Sequence, residues 1–374
     1  MRKFLRLFAV LAVLSLVAAA CGDDEGGGTT GPTGETATGP TAETGPLPGE
    51  DITVGLVYDI GGRGDLSFND SAAAGLDQAV QEFGVQVQEL EPNQGGTNRA
   101  ELLDLLASQG TNLIIGVGFL FNETVCDAGN KYADVNFGDI DGFINKDTAN
   151  CEGAHDLTPE DNVASLLFAE EQGSFLVGAA AALKSTTGHV GFIGGVDIDL
   201  IHKFEAGFVA GAEYINPDIT VDIKYITQPP DFAGFNDPAK AKEIAASMYE
   251  SGADVVYHAA GGSGLGLFQA AKEYSDSSGT QVWAIGVDSD QYQTAPAELQ
   301  PYILTSMLKR VDVAVYETIR SQVEGAFAGG YVTFDLARDG VGYATSGGFV
   351  DDIASQLEDL KAQIIDGTIT VPTS

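Results

Sequence analysis

The chain has 374 residues, with 18 basic and 54 acidic side chains and a formal net charge of −36. Such a field repels nucleic acid and anionic lipid headgroups, so no nucleic-acid partner is expected, and a polyanionic ligand would need a local basic pocket or metal. The four histidines are scattered and no CxxC or HxxxH spacing occurs, so neither a metal nor a cofactor is expected.

In chain order, Arg2, Lys3 and Arg6 flank an apolar run, Leu7 to Ala20, and Cys21 follows. A basic start, a short apolar stretch and small residues before a cleavage point form a secretory signal, here 1–20, whose apolar run is too short to span a bilayer. Cys21 after Ala18, Ala19 and Ala20 resembles a bacterial lipobox, in which the cysteine is lipidated. The alternative is a plain secreted protein cut near Ala20. Residues 21–50 comprise Cys21 and a tether rich in Gly, Thr, Pro and Glu, too poor in apolar surface to fold. The expected location is therefore the extracytoplasmic face of the cell membrane, held by lipid.

Residues 51–374 are long enough for two lobes with substantial cores. They contain a quiet duplication. Val54-Gly55-Leu56 and Val190-Gly191-Phe192 each begin a strand, and Phe68 and Gly75 then recur at the same spacing as Phe204 and Gly211. "SQGTNLIIGVG" pairs with "ESGADVVYHAA", and "VNFGDID" with "VWAIGVD", each of the latter two ending in an aspartate, Asp141 or Asp288. Alternating strands and helices in each half predict two doubly wound α/β lobes with parallel sheets. The expected division is 51–157 with 290–328 in the first lobe, and 158–289 with 329–374 in the second.

Ligands of open α/β sheets bind beyond the carboxyl ends of the strands. Asp59, Phe68, Asp141, Gly194, Phe204, Gly261 and Asp288 all fall at or after such ends. Phe68 is either a staple under its helix, capped by Ser67 or Asn69, or an aromatic plate for a flat ring. Phe204 is its partner by repeat. Phe232 and Phe235, in "PPDFAGFND", are further aromatics that the sequence does not separate. Asp141 and Asp288 are helix caps or ligand acceptors, Asp59 is a further acceptor, and Asp65 either joins them or braces its own turn. Lys309 is a solvated cation or a donor to the ligand. "AAGGSGLGLF" fails the G-x-G-x-x-G pattern, and its glycines, Gly261 and Gly262 among them, are expected to let backbone amides approach a ligand. His202 and His258 are candidate cleft residues, with solvated or packed roles as the alternative. Cys126 and Cys151 form a disulfide or remain two buried thiols. No nucleophile elbow or H-E-x-x-H occurs, and an enzyme is not expected.

"GLVYDIGGRGDLSFNDSAAAGL", "GFIGGVDIDLIHKFEAGFVAGAEYINPDI", "AIGVDSDQ" and "ILTSMLKR" resemble the basic membrane protein family, lipoprotein substrate-binding components of ABC transporters of the purine-nucleoside-receptor type. The resemblance covers nearly all of 51–374. It implies a type I periplasmic-binding-protein fold, two lobes joined by three crossovers around a ligand cleft. It further implies a monomer that captures a nucleoside, a purine nucleoside first, and delivers it to a membrane permease. The base would stack on Phe68 and on Phe204 and Phe235, beside Asn69. Asp59 would touch the ligand, Asp141 the base, and Asp288 with Lys309 the ribose. Leu66 departs from the family, many members of which carry a basic residue there. Competing readings are a receptor for a sugar or other small polar metabolite, and an extracytoplasmic nucleoside hydrolase.

Overall fold

Strands of three to eight residues, most of them followed by a helix, assemble into two six-stranded sheets. The structure, a computed structural model, describes residues 47–147, 150–151 and 153–374. The expected signal, Cys21 and most of the tether lie outside the described residues.

The first sheet is built from β1 (Thr53–Val57), β2 (Gln86–Leu90), β3 (Leu113–Val117), β4 (Asn136–Ile140), β5 (Val163–Phe168) and β11 (Gly330–Phe334), in the order β11-β5-β4-β3-β1-β2. The second contains β6 (His189–Val196), β7 (Thr220–Thr227), β8 (Val255–Ala259), β9 (Trp283–Asp288), β10 (Ile303–Lys309) and β12 (Val341–Tyr343), in the matching order β12-β10-β9-β8-β6-β7. All pairings are parallel except that β12 runs antiparallel to β10. In the first lobe the layers are α1 (Phe68–Phe83), α2 (Arg99–Ser108), α3 (Asn122–Lys131) and α9 (Val311–Val323). In the second they are α4 (Glu170–Lys184), α5 (Asp199–Ile215), α6 (Pro238–Glu250), α7 (Gly264–Ser278), the single turn α8 (Gln291–Thr294) and α10 (Ala354–Ile365).

The repeat has a packing cause. Gly75 on α1 lies against the Asp312 carbonyl of α9, and Gly211 on α5 lies against the Phe175 carbonyl of α4. A Cβ at either position would overlap that oxygen, so glycine lets each helix pair approach backbone to backbone. The layers on this side merge into one apolar cluster running from Leu56 and Leu76 through Phe175 and Leu176 to Phe192 and Phe208. Each such buried side chain contributes about 1.5–3 kcal/mol relative to exposure.

The chain crosses between lobes three times, at Ala169, at Arg310 and between β11 and β12. The crossings lie side by side. The Ala169 N–H donates to the Phe334 carbonyl at 3.1 Å and the Arg310 N–H to the Gly340 carbonyl at 2.9 Å. The Phe168 and Phe334 rings stack at 5.3 Å.

This pairing corrects the expected lobe limits. β5 continues the first sheet, with Phe137 opposite Val163, although 158–289 was expected in the second lobe. β10 extends the second sheet beside β9, although 290–328 was expected in the first, and only α9 from that range packs on α1. β11 returns to the first sheet as its edge. The strands' apolar runs are alike in both lobes, and only their hydrogen-bonded neighbours distinguish them.

Cys126 on α3 and Cys151 are joined by a disulfide, with Cα atoms 6.1 Å apart, on the outer side of the first lobe.

Candidate functional site

The loop after β1 forms one wall of a cleft between the lobes. Asp65 organises it. One carboxylate oxygen accepts from the N–H groups of Ser67 and Asp70, at 2.9 and 3.1 Å, and the other from Asn69 N and Nδ2, at 2.9 and 3.0 Å. Asp65 therefore caps α1, in place of the expected Ser67 or Asn69. Asn69 is turned the other way, its Oδ1 accepting from the Asp59 N–H at 2.9 Å. This bracing fixes Phe68, the first residue of α1, with its half-buried ring on the cleft.

Asp59 is buried and pairs with Arg99 at 3.0 Å. Burial raises its pKa, and the Arg99 charge and a hydrogen bond from the Ile60 backbone oppose the rise. Gly118, at φ 107°, gives the Asp59 carboxylate its room, because a Cβ there would overlap it.

Lys309 ends β10 at the crossover and is almost fully buried. Its Nζ lies 2.6 Å from Asp141 Oδ2 and 3.7 Å from Glu170 Oε1, and Glu170 also meets Lys203 at 3.2 Å. The same Nζ stands 5.0 Å from the ring centres of Phe68 and Phe168 and 5.6 Å from that of Phe204. Burial works against its charge, but the carboxylates of Asp141, Glu170 and Asp288 outweigh burial and raise its pKa. Asp288 receives a 2.6 Å hydrogen bond from Ser67 Oγ. Burial pushes its pKa up to about 7 against the pull of Lys309 and Ser67.

The open space of the cleft, counted out to its mouth, is about 560 Å³. Of the residues expected on it, Asp59, Phe68, Asn69, Asp141, Phe204, Phe235, Gly261, Asp288 and Lys309 line it. Gly262 does not line it, and instead sits near Asn236 and Asp65. Of the two loop aromatics, Phe235 lines the cavity and Phe232 does not. Phe232 packs on Phe119 at 5.9 Å outside the cavity, and Phe119 also meets Phe235 at 6.4 Å. Gly264 and Gly266 make room for His258 and for the Pro238 carbonyl, so they serve packing of α7 rather than a ligand. His202 pairs with Asp197 at 2.7 Å and His258 is buried behind the wall, so neither lines the cleft.

Phe119, Leu200 and Ile201 line the cavity without having been expected there. Phe119 follows a strand end, as Asp59 does, and the strand-end rule would have found it. Leu200 and Ile201 read as ordinary apolar positions of an amphipathic helix and carry no such signal.

The family described as "ABC transporter substrate-binding protein PnrA-like" matches residues 52–374. The ABC transporter nucleoside-binding protein BmpA of Lactococcus lactis subsp. cremoris is 35% identical, covering 86% of this chain and 90% of that protein. An uncharacterised lipoprotein of Pyrococcus abyssi is 32% identical, covering 78% of this chain and 69% of that protein. The crystal structure of an ABC transporter system solute-binding protein from Aeropyrum pernix K1 superposes with a TM-score of 0.72 at 32% identity, covering 86% of this chain and 94% of that one.

Proposed function

We propose that this chain, which belongs to the PnrA-like family of ABC transporter substrate-binding proteins, captures a nucleoside, and a purine nucleoside first, between its two lobes. The family binds substrates rather than transforming them, and an ABC substrate-binding protein takes a small-molecule ligand and serves a membrane permease. The nucleoside reading draws support from the name of the Lactococcus relative. The observation that carries it is the make-up of the cleft: Phe68, Phe204 and Phe235 on facing lobes, with Asp59, Asp141 and Asp288 among them.

A flat heteroaromatic base gains from offset or edge contact with phenylalanine rings, about 0.5–1.5 kcal/mol per pair beyond area burial. A carboxylate accepts two hydrogen bonds at once, as a ribose diol or a base N–H pair offers. In this reading Phe68 and Phe235 face the base, with Asp59, Asn69 and Asp141 as its polar partners, and Asp288 and Lys309 hold the ribose. Ligand entry would exchange part of the Lys309–Asp141 contact for contacts to the ligand, so no buried charge is left alone. The carboxylates outnumber the cations here, which favours a neutral nucleoside over its phosphate.

Lipid attachment through Cys21 belongs to the same reading and is supported by the lipoprotein name of the Pyrococcus relative. Intrinsic fluorescence or calorimetry on Phe68→Ala tests the site. The variant should fold and lose adenosine affinity by about tenfold or more, in line with loss of a stacked ring. Unchanged affinity would remove Phe68 from the site.

A further inference from the structure

We infer that Gln291 is a positioning residue for ligand capture, tying the loop that carries Phe68 to the second lobe through a hydrogen bond donated from one lobe to the other; its ligand rests on the nucleoside reading above. Gln291 begins α8 in the second lobe and is 1% exposed. Its Oε1 accepts from the Val287 N–H at 2.8 Å and faces His258 Nε2 at 3.0 Å. A backbone N–H can only donate, so this end of the amide is the oxygen. The His258 ring donates to it from Nε2, consistent with a neutral imidazole whose pKa burial pushes down to about 4.

With its oxygen so engaged, the amide must aim Nε2 the other way. There it donates to the Leu66 carbonyl of the first lobe at 3.0 Å. The exposed Thr294 hydroxyl donates to the same carbonyl at 3.2 Å. The next residue is held as well, since Ser289 Oγ donates to the Ser67 carbonyl at 2.9 Å and Ser67 Oγ donates to Asp288. Leu66 keeps a left-handed backbone, φ 60°, which a leucine adopts only when its surroundings impose it. The dipeptide Leu66-Ser67 thus rests on the end of β9 and on α8, and Phe68 follows directly. Of these second-lobe residues Val287 and Asp288 line the cavity, and Gln291, Thr294, Ser289 and His258 do not. The contact acts on the ligand through the placement of Phe68 and through closure of the lobes.

Two variants separate this role from general packing. Gln291→Glu keeps an oxygen for Val287 and His258 but presents a second acceptor to the Leu66 carbonyl. Thr294→Val removes only a hydroxyl directed at the first lobe. Gln293→Ala is the control, since Gln293 bonds only to Asp290 and Ser346 of its own lobe. Small-angle scattering of the ligand-free proteins should show a larger radius of gyration for Gln291→Glu and Thr294→Val than for the parent and Gln293→Ala. Adenosine affinity should fall about tenfold for Gln291→Glu, the scale of a lost buried hydrogen bond. If Gln291→Glu does not fold, Thr294→Val alone decides by the same comparison. Parent-like scattering from every folded variant overturns the inference. A parent protein that fails to bind adenosine overturns the nucleoside reading instead, and scattering still decides the role of Gln291.

Discussion

Asp141 and Asp288 leave β4 and β9 with the same left-handed backbone, φ 64° and 63°, one in each lobe. Aspartate tolerates this conformation better than most residues, yet it still costs about 1–3 kcal/mol where the surroundings impose it. The duplication has kept a strained acidic turn at both strand ends, and both turns bring a carboxylate to the cleft. Strain of this kind marks function when the residue's side chain is needed there. Asp288→Gly relieves the backbone and removes a buried carboxylate. Thermal unfolding should show a melting temperature at or above that of the parent, and calorimetry a loss of nucleoside affinity of about a hundredfold, the scale of a lost charge-assisted hydrogen-bond pair. A lower melting temperature with retained affinity would contradict a ligand role for this turn.

The same carboxyl makes stability depend on pH. In the unfolded chain Asp288 loses its proton near 3.8, and in the folded protein it keeps it to about 7. Below 3.8 both states are protonated and nothing is lost. Between these values only the unfolded state releases the proton, so stability falls as pH rises, and the loss levels off above about 7. Melting curves of ligand-free Asp288→Asn against the parent should therefore draw apart in the variant's favour from pH 4 to about 7. A constant difference across that window would show that the group titrates normally.

Lys309 balances three buried carboxylates. Lys309→Met keeps much of the stem that packs among Phe68, Phe168 and Phe204 but leaves Asp141 unpaired. Removing one partner of a buried pair costs about 3–5 kcal/mol. Denaturant unfolding should report a loss of that order at neutral pH, and an unchanged stability would contradict the buried pairing.

The disulfide between Cys126 and Cys151, separated by 25 residues, ties α3 to a loop away from the cleft. Cys151→Ser should lower stability by about 2–4 kcal/mol and leave ligand affinity unchanged. A changed affinity would mean that this loop communicates with the site.

Much of this was legible in the chain. The strand ends marked by Asp59, Asp141 and Asp288 meet at the cleft because a parallel sheet presents its carboxyl ends on one side, and period and spacing report that directly. The repeat of Phe68 and Gly75 by Phe204 and Gly211 was readable because helix packing demands glycine at one fixed distance from the strand. Lobe limits were not readable. β5 and β10 are apolar runs like their neighbours, and nothing local states which sheet edge will accept them. The cap of α1 was misassigned because Asp65 reaches it from two residues before Ser67, through a loop whose path only the tertiary fold fixes. Gly262 was placed at the ligand by its company with Gly261, yet the two glycines face different neighbours. Leu200 and Ile201 stayed hidden because a cavity wall and a core face look alike in an apolar helix.

The central claim is that the phenylalanine-lined, acid-rich cleft selects a neutral purine nucleoside. Calorimetric titration of residues 47–374, freed of bound ligand by partial unfolding, with adenosine, adenosine monophosphate and ribose tests it most directly. The expected result is tight binding of adenosine, with ribose and the monophosphate each at least a hundredfold weaker, since ribose offers no ring to stack and the phosphate meets several carboxylates. Equal affinity for adenosine and its monophosphate, or tighter binding of ribose than of adenosine, would contradict it.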